Sequence, residues 1–249
     1  MDNVSSIDDE ELKKFSKTNQ EWWDLNGEFK ALHEINPVRI EYIKSVILKH
    51  FNITSSSIKP LKHIKILDVG SGGGLVCKPM HEFGADITGI DANEHNTKAA
   101  TTYAKEHKLN IKYINSTVED YAPMHKAKYD AVLCLEVIEH VAQPIEFAQN
   151  ISKLVKQDGI LIFSTINRTL KSFAQAIIIA EYILGWVPKN THKHSKFVKP
   201  SELVSMLKDT PLSLSELKGL KLSLPNQIWQ LTDNVDVNYF AVFKNPSIK

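Results

Sequence analysis

The sequence is short of the features that would place a chain outside the cytoplasm or on a polyanion. Only two cysteines, Cys77 and Cys134, occur in 249 residues, both within apolar stretches. Two thiols cannot build a disulfide framework, nor by themselves a zinc site, so both are expected to be reduced core side chains. An excess of one charge is also missing. Thirty basic residues face 29 acidic ones, which leaves no global field for gripping nucleic acid, and none is expected as a partner. The positive, then apolar start of a secretory or mitochondrial signal is absent. Asp2, Asp8, Asp9, Glu10 and Glu11 crowd the beginning instead, and a cytoplasmic location is expected. No internal repeat is visible. The apolar run at 173–187 would make about 22 Å of helix, short of the ~30 Å hydrocarbon core of a bilayer.

What is present is ordinary globular material, 43% hydrophobic and 24% charged, enough for one α/β domain. Helical spacing along 8–51, interrupted near Asn26-Gly27 and at Asn36-Pro37, suggests an N-terminal helical cap over 1–57. From 58 to 167 the pattern alternates. Strands are expected at 64–69, 86–90, 111–114, 129–135 and 160–164, with helices at 75–83, 93–107 and 144–156. Units of this length imply a parallel sheet with right-handed crossovers and ligands at its carboxyl edge. An apolar and basic insertion follows over 168–199, and 200–249 holds a short helix at 201–208 with weak strands near 217–224 and 236–243. The last of these is expected to run antiparallel.

Residues 66–74 read Ile-Leu-Asp-Val-Gly-Ser-Gly-Gly-Gly, and Asp91 ends the next apolar run. Glycines at such a break let backbone turn sharply and approach a nucleotide closely. Two cofactors compete for that cradle. Position 75 is Leu75, so the third glycine of a dinucleotide fingerprint is missing. Asp68, two residues before Gly70, would repel a pyrophosphate but suits the cationic aminoacyl end of S-adenosylmethionine. Charge therefore favours the sulfonium donor over NAD. Asp91 is placed to accept hydrogen bonds from ribose hydroxyls. In the pair Glu119-Asp120, a carboxylate could meet the adenine amino group, or the pair could be a solvated loop.

These residues resemble a known superfamily and, within it, one family. Asp68-Val-Gly70-Ser-Gly72-Gly-Gly74 is similar to the first motif of class I S-adenosylmethionine-dependent methyltransferases, and Leu154-Val-Lys-Gln-Asp-Gly159-Ile-Leu-Ile to their late motif. Trp22-Trp23-Asp24, Gly27-Glu28-Phe29-Lys30, Leu32-His33-x-Ile35-Asn36-Pro37-x-Arg39, Glu136-Val-Ile-Glu139-His140, Ala180-Glu-Tyr-Ile-Leu184, Val187-Pro-Lys189 with Thr191-His192, and Val235-Asp236-Val237-Asn238-Tyr239 resemble the ubiquinone biosynthesis O-methyltransferases. The match runs from about residue 8 to about 243. It implies a Rossmann-like sheet, mostly parallel with an antiparallel last strand and helices on both faces. It also implies methylation of phenolic hydroxyls at two steps, on a 2-polyprenyl-6-hydroxyphenol and on a 3-demethylubiquinol. Arg39, Gly70, Asp91 and Leu135 fall on the family's cofactor-contacting positions, and Asp68, Gly72 and Glu119 join them on the reading above. The chain departs from the family pattern at Ser71, where a cysteine is usual, at Leu135, where methionine is usual, and at Gln157-Asp158, where Pro-Gly is common.

Glu136, Glu139 and His140 follow the fourth strand, and on a helical turn they would share a face. Eukaryotic relatives are similar in treating this triplet as a magnesium site. A divalent ion held there would lower the pKa of the attacking phenol, and the histidine admits manganese, iron or zinc as well. The alternative is that His140 is a metal-free general base oriented by a glutamate. The apolar run at 173–187, followed by Lys189, His192, Lys193, His194, Lys196 and Lys199, suggests a lid over 168–199 that touches anionic lipid at the inner face of the membrane. Buried cover for the sheet is the other reading. A polyprenylated substrate favours the lid, and the resemblance admits other enzymes of the same pathway as partners.

Overall fold

The structure, a computed structural model, describes residues 22–27, 29–54, 57–173, 194–223 and 228–247. The acidic start, the helical spacing before residue 22 and the centre of the expected lid, 174–193, lie outside the described residues. The first described helix, α1 (Lys30–His50), runs through Pro37 rather than breaking there. A proline inside a helix costs about 3 kcal/mol. Here a continuous stripe of Ile35, Arg39, Ile40, Ile43, Val46 and Ile47, all buried, offsets that cost.

The alternating region then forms β1 (Lys65–Val69), α2 (Cys77–Glu82), β2 (Asp86–Asp91), α3 (Glu94–Glu106), β3 (Lys112–Asn115), β4 (Tyr129–Leu135), α4 (Pro144–Ser152) and β5 (Val155–Ile166). Four of the five β1 residues are buried, because both faces of the sheet are covered, and Ile66, Leu67 and Val69 flank the one buried acid, Asp68. Ile66 and Leu133 point into a core shared with Ile43 and Ile47 of α1 and Met80 of α2. Their neighbours Leu67 and Val132 point the other way, toward Phe147 and Ile151 of α4.

The remainder comprises α5 (Pro200–Met206), β6 (Ser213–Ser223), β7 (Ile228–Thr232) and β8 (Asn238–Lys244). The sheet has eight strands in the order β3-β2-β1-β4-β5-β8-β6-β7. The first five are parallel. The expected antiparallel last strand is present as β8 beside β5, with β6 and β7 extending the antiparallel edge. Strand β7 was not expected, because its five residues are mostly exposed and lack alternation. The strand expected at 160–164 starts earlier, at Val155, and the preceding helix stops at Ser152 rather than 156. A bulge accounts for this. Tyr129 pairs with Val155 while Ala131 pairs with Ile160, and Asp158 takes a left-handed φ of 60° within the extra residues.

Strand order reverses between β1 and β4, so the chain leaving each of them diverges from the other and opens a crevice. The segments flanking 174–193 are tied together beside this crevice. His194 Nε2 lies 3.1 Å from the Thr169 carbonyl, the Val198 amide donates to Ile166 O at 3.1 Å, and the buried Tyr239 hydroxyl donates to Val198 O at 2.9 Å.

Candidate functional site

The glycine loop leaves β1 by bonding to the neighbouring strand. The amides of Gly70 and Ser71 both donate to Ile90 O, at 2.8 and 3.0 Å. Gly70 has φ 72°, and a Cβ there would fall 2.4 Å from Val137 Cγ2, so no other residue fits both the turn and the space. The next two glycines have a different cause. A Cβ on Gly72 would meet Trp22 Cη2 at 2.5 Å, and one on Gly73 would meet Trp22 Cγ at 2.2 Å. The Trp22 indole therefore lies across the loop, stacked on Phe29 at 3.7 Å and held through its carbonyl by His33 Nε2 at 2.9 Å. Loop glycines that sequence reasoning assigned to a nucleotide thus also make room for an aromatic cover. The Trp22-Trp23 pair was legible as part of the cap, but its seat on the loop was not.

Asp91, at the end of β2, organises the second wall. Its carboxylate accepts from the amides of Gly72 (2.9 Å) and Asn93 (2.8 Å) and from Asn96 Nδ2 (3.2 Å). Burial raises its pKa, and these hydrogen bonds oppose the rise. Asn93 in turn caps α3 by accepting from the His95 amide. After β3, a single helical turn at Val118–Tyr121, capped by Thr117, separates the acidic pair. Asp120 bonds to the Thr117 hydroxyl at 2.8 Å on the exposed side. Glu119 is 7% exposed, and neither carboxylate oxygen has a hydrogen-bond partner. A buried acceptor without a donor is costly.

The third wall follows β4 and β5. Leu135 is buried. Glu136 has a left-handed φ of 56°, and its carboxylate receives the Ser164 hydroxyl and stands 3.6 Å from the Arg39 guanidinium. A 3-10 turn, Ile138–His140, follows. Glu139, 3% exposed, accepts from Thr165 Oγ1 at 2.9 Å through one oxygen, while its other oxygen has no partner. The expectation that one helical face presents Glu136, Glu139 and His140 together is corrected here. The left-handed residue and the tight turn send the two carboxylates to separate hydroxyls of β5. Among the described residues, no group of three histidine, cysteine, aspartate or glutamate side chains is gathered closely enough to hold a metal ion. Ser164 and Thr165 were not anticipated, although two hydroxyls ending the apolar run Ile160-Leu-Ile-Phe163 were a visible signal.

At the centre, Arg39 is 5% exposed and its Nε lacks a partner. Burial works against its charge, while Glu136, Asp68 and Glu139 support it. One guanidinium therefore faces three carboxylates, and the pocket is net acidic. Asp68 is pushed up to about 7, chiefly by burial and then against the opposing effects of Cys77 and Arg39. Glu139 also rises to about 7, first through burial and then through Glu136.

Three comparisons bear on this arrangement. The chain matches a family described as methyltransferase domain over residues 39–216. It is 48% identical over 246 residues to a ubiquinone biosynthesis O-methyltransferase of Rickettsia akari (strain Hartford), covering 99% of this chain and 95% of the relative. It is 47% identical over 240 residues to one of Pelagibacter ubique (strain HTCC1062), covering 96% and 99%. Among solved structures it is similar to the plantazolicin methyltransferase BpumL in complex with SAH, with a TM-score of 0.64, 14% identity and 94% of each chain covered. It is also similar to magnesium protoporphyrin IX methyltransferase from Synechocystis PCC 6803 with bound SAH, with a TM-score of 0.56, 16% identity, and 94% and 92% covered.

The raised carboxyl groups have a thermodynamic consequence. A buried acid whose folded pKa lies above its unfolded value holds its proton longer in the native state. Between about pH 4 and about pH 7 the folded chain then binds more protons than the unfolded one, so these groups lower stability as pH rises, by up to about 1.4 kcal/mol per pH unit each. Asp68→Asn is expected to stabilise the ligand-free protein increasingly from pH ~5 to pH ~8. Urea denaturation of both proteins across that range checks this, and a difference that stays constant with pH would refute it.

Proposed function

The chain belongs to the ubiquinone biosynthesis O-methyltransferase family, and on that premise we propose that it methylates phenolic hydroxyls of polyprenylated ubiquinone precursors. The substrates are the 2-polyprenyl-6-hydroxyphenol and 3-demethylubiquinol of the two pathway steps. The observation that carries this reading is the charge balance at the crevice, where the buried Asp68 and Glu139 and the half-buried Glu136 face Arg39. That balance suits a methyl donor bearing a sulfonium and an α-ammonium, and it would repel the pyrophosphate of NAD.

S-adenosylmethionine supplies an activated methyl group on a positive sulfur. Residues of all three walls meet it. Asp91 accepts from the ribose hydroxyls, Glu119 from the adenine amino group and Asp68 from the α-ammonium. Arg39, with its free Nε, takes the α-carboxylate. Gly70 and Gly72 bring backbone close, and Leu135 supplies an apolar wall. The phenolic oxygen attacks in line, an oxygen–methyl bond forms as the methyl–sulfur bond breaks, and the electron pair returns to a neutral thioether. Alignment is the largest contribution the protein makes to such a displacement.

A phenol with a pKa near 10 needs a proton acceptor at neutral pH. His140 takes that role, and the adjacent Glu139, electrostatically coupled to it, supports the imidazolium that forms. A divalent cation is a second reading of the same donors. The unpartnered Glu139 oxygen would be its one ready donor, since Glu136, Glu139 and His140 are not gathered as a set, and such an ion would acidify a catechol oxygen as a Lewis acid.

The lid remains part of the proposal. Leu170 (85% exposed) and Phe173 (40% exposed) approach the insertion from one side, and Lys196 and Lys199 stand at the other. No helix among the described residues is long and apolar enough to cross a membrane. We assign the segment to docking on anionic lipid at the inner membrane face, where the prenyl tail lies and other enzymes of the pathway can be met.

Transfer of labelled methyl from S-adenosylmethionine to a demethylated quinol tests the reaction, and no transfer would overturn it. His140→Ala is expected to lower kcat by about 10²- to 10⁴-fold with donor affinity unchanged, as measured by turnover and calorimetry. Exhaustive chelation followed by magnesium separates the two readings of His140: restored turnover supports the cation, and full turnover without metal overturns it. Flotation with anionic vesicles should carry the protein, and an unbound fraction equal to that with neutral vesicles would remove the lid from the account.

A further inference from the structure

Beneath the glycine loop lies a row of side chains that the reaction as described leaves unused. Cys77, the first residue of α2 and 0% exposed, donates its thiol to Asp68 Oδ2 at 3.3 Å. Tyr113 of β3 adjoins the same cysteine. Its hydroxyl occupies the space beside Gly74, 2.3 Å from where a Cβ would stand. The row therefore runs from β3 through α2 to β1, and it ends on a carboxylate 3% exposed. Among the described residues, the side-chain hydrogen bond to Asp68 is this thiol's. A thiol is a weak donor, so the carboxylate is oriented by a contact that does little to satisfy its charge.

We propose that Cys77 and Tyr113 are positioning residues for the methyl donor, holding the Asp68 carboxylate toward the donor's α-ammonium while leaving its charge for that cation. This rests on the reading of Asp68 as the ammonium's partner. Tyr113 fixes the thiol, and the thiol fixes Asp68. A hydroxyl or amide in the thiol's place would neutralise more of the carboxylate before the ligand arrives, and an alkyl group would leave it unheld. The other groups facing Asp68 are Arg39 from α1, which favours the ionised form, and Asp91 from the end of β2, which opposes it. The Cys134 thiol on β4 also lies within its field.

The test is calorimetric binding of S-adenosylmethionine to the full chain from pH ~5.5 to pH ~8. In that range affinity should weaken about tenfold per pH unit below the point where Asp68 takes up a proton. The donor's own α-amino group, near pH ~8, sets the alkaline limb and is common to all variants. Cys77→Ser, with a stronger donor of similar shape, should move the acid break to lower pH. Cys77→Ala should move it higher and weaken binding at pH ~6.5 by about 3- to 10-fold, and Tyr113→Phe should move it the same way by less. A purely structural role would shift Ser and Ala variants alike, or leave the break in place, and either result overturns the proposal. Asp68→Asn separates the two levels. If it binds the donor as tightly as the wild type, the reading of Asp68 fails; if it abolishes the break while the cysteine and tyrosine variants retain the wild-type break, only the positioning role fails.

Discussion

One buried guanidinium shared among three carboxylates, two of them buried, is the interaction on which the rest of this site depends. Charges in such a place are retained only where neighbours compensate them. Arg39 can reach Glu136, and feel Asp68 and Glu139, only because α1 runs unbroken past Pro37 and lays its buried stripe over the sheet where β1 and β4 part. The glycine loop, the tight turn after β4 and the hydroxyls of β5 all serve this juxtaposition. Only Glu136 lies within ion-pair distance of Arg39, and each carboxylate also takes a neutral partner, whether a thiol, a serine or a threonine. The free protein therefore carries an electrostatic deficit that a cationic ligand fills.

The parallel half of the sheet was legible in the sequence because its strands carry short apolar runs and the glycines at 70–74 fall where β1 ends. Signals of that kind are local. The antiparallel edge was harder to read. Strand β7 is short, exposed and patternless, and it exists because β6 offers it a ladder, which no window of sequence can show. The early start of β5 was hidden by a bulge around Asp158, a backbone event with no compositional mark. At the site, Asp68, Asp91 and the Glu136-Glu139-His140 run stood out by residue type. Their partners did not, because Ser164, Thr165, Cys77, Tyr113 and Trp22 are ordinary core or surface residues until tertiary contact gives them a role.

The glycine loop illustrates the same division. Its glycines looked like the imprint of a ligand, yet Val137 and Trp22 occupy the space that side chains would need at positions 70, 72 and 73. Backbone that must admit a nucleotide on one side is here pressed by protein on the other. With the amides of Gly70, Ser71 and Gly72 also committed to Ile90 and Asp91, the loop is held in place in the free protein, which lowers the ordering cost of binding.

The ties between 166–173 and 194–198 give the molecule a modular character. His194 on Thr169, Val198 on Ile166 and Tyr239 on Val198 fasten both ends of the intervening twenty residues to one corner of the sheet. The carboxylates beside β5 are therefore positioned by residues outside 174–193, since Ser164 and Thr165 hold them and the clamps anchor the end of the same strand.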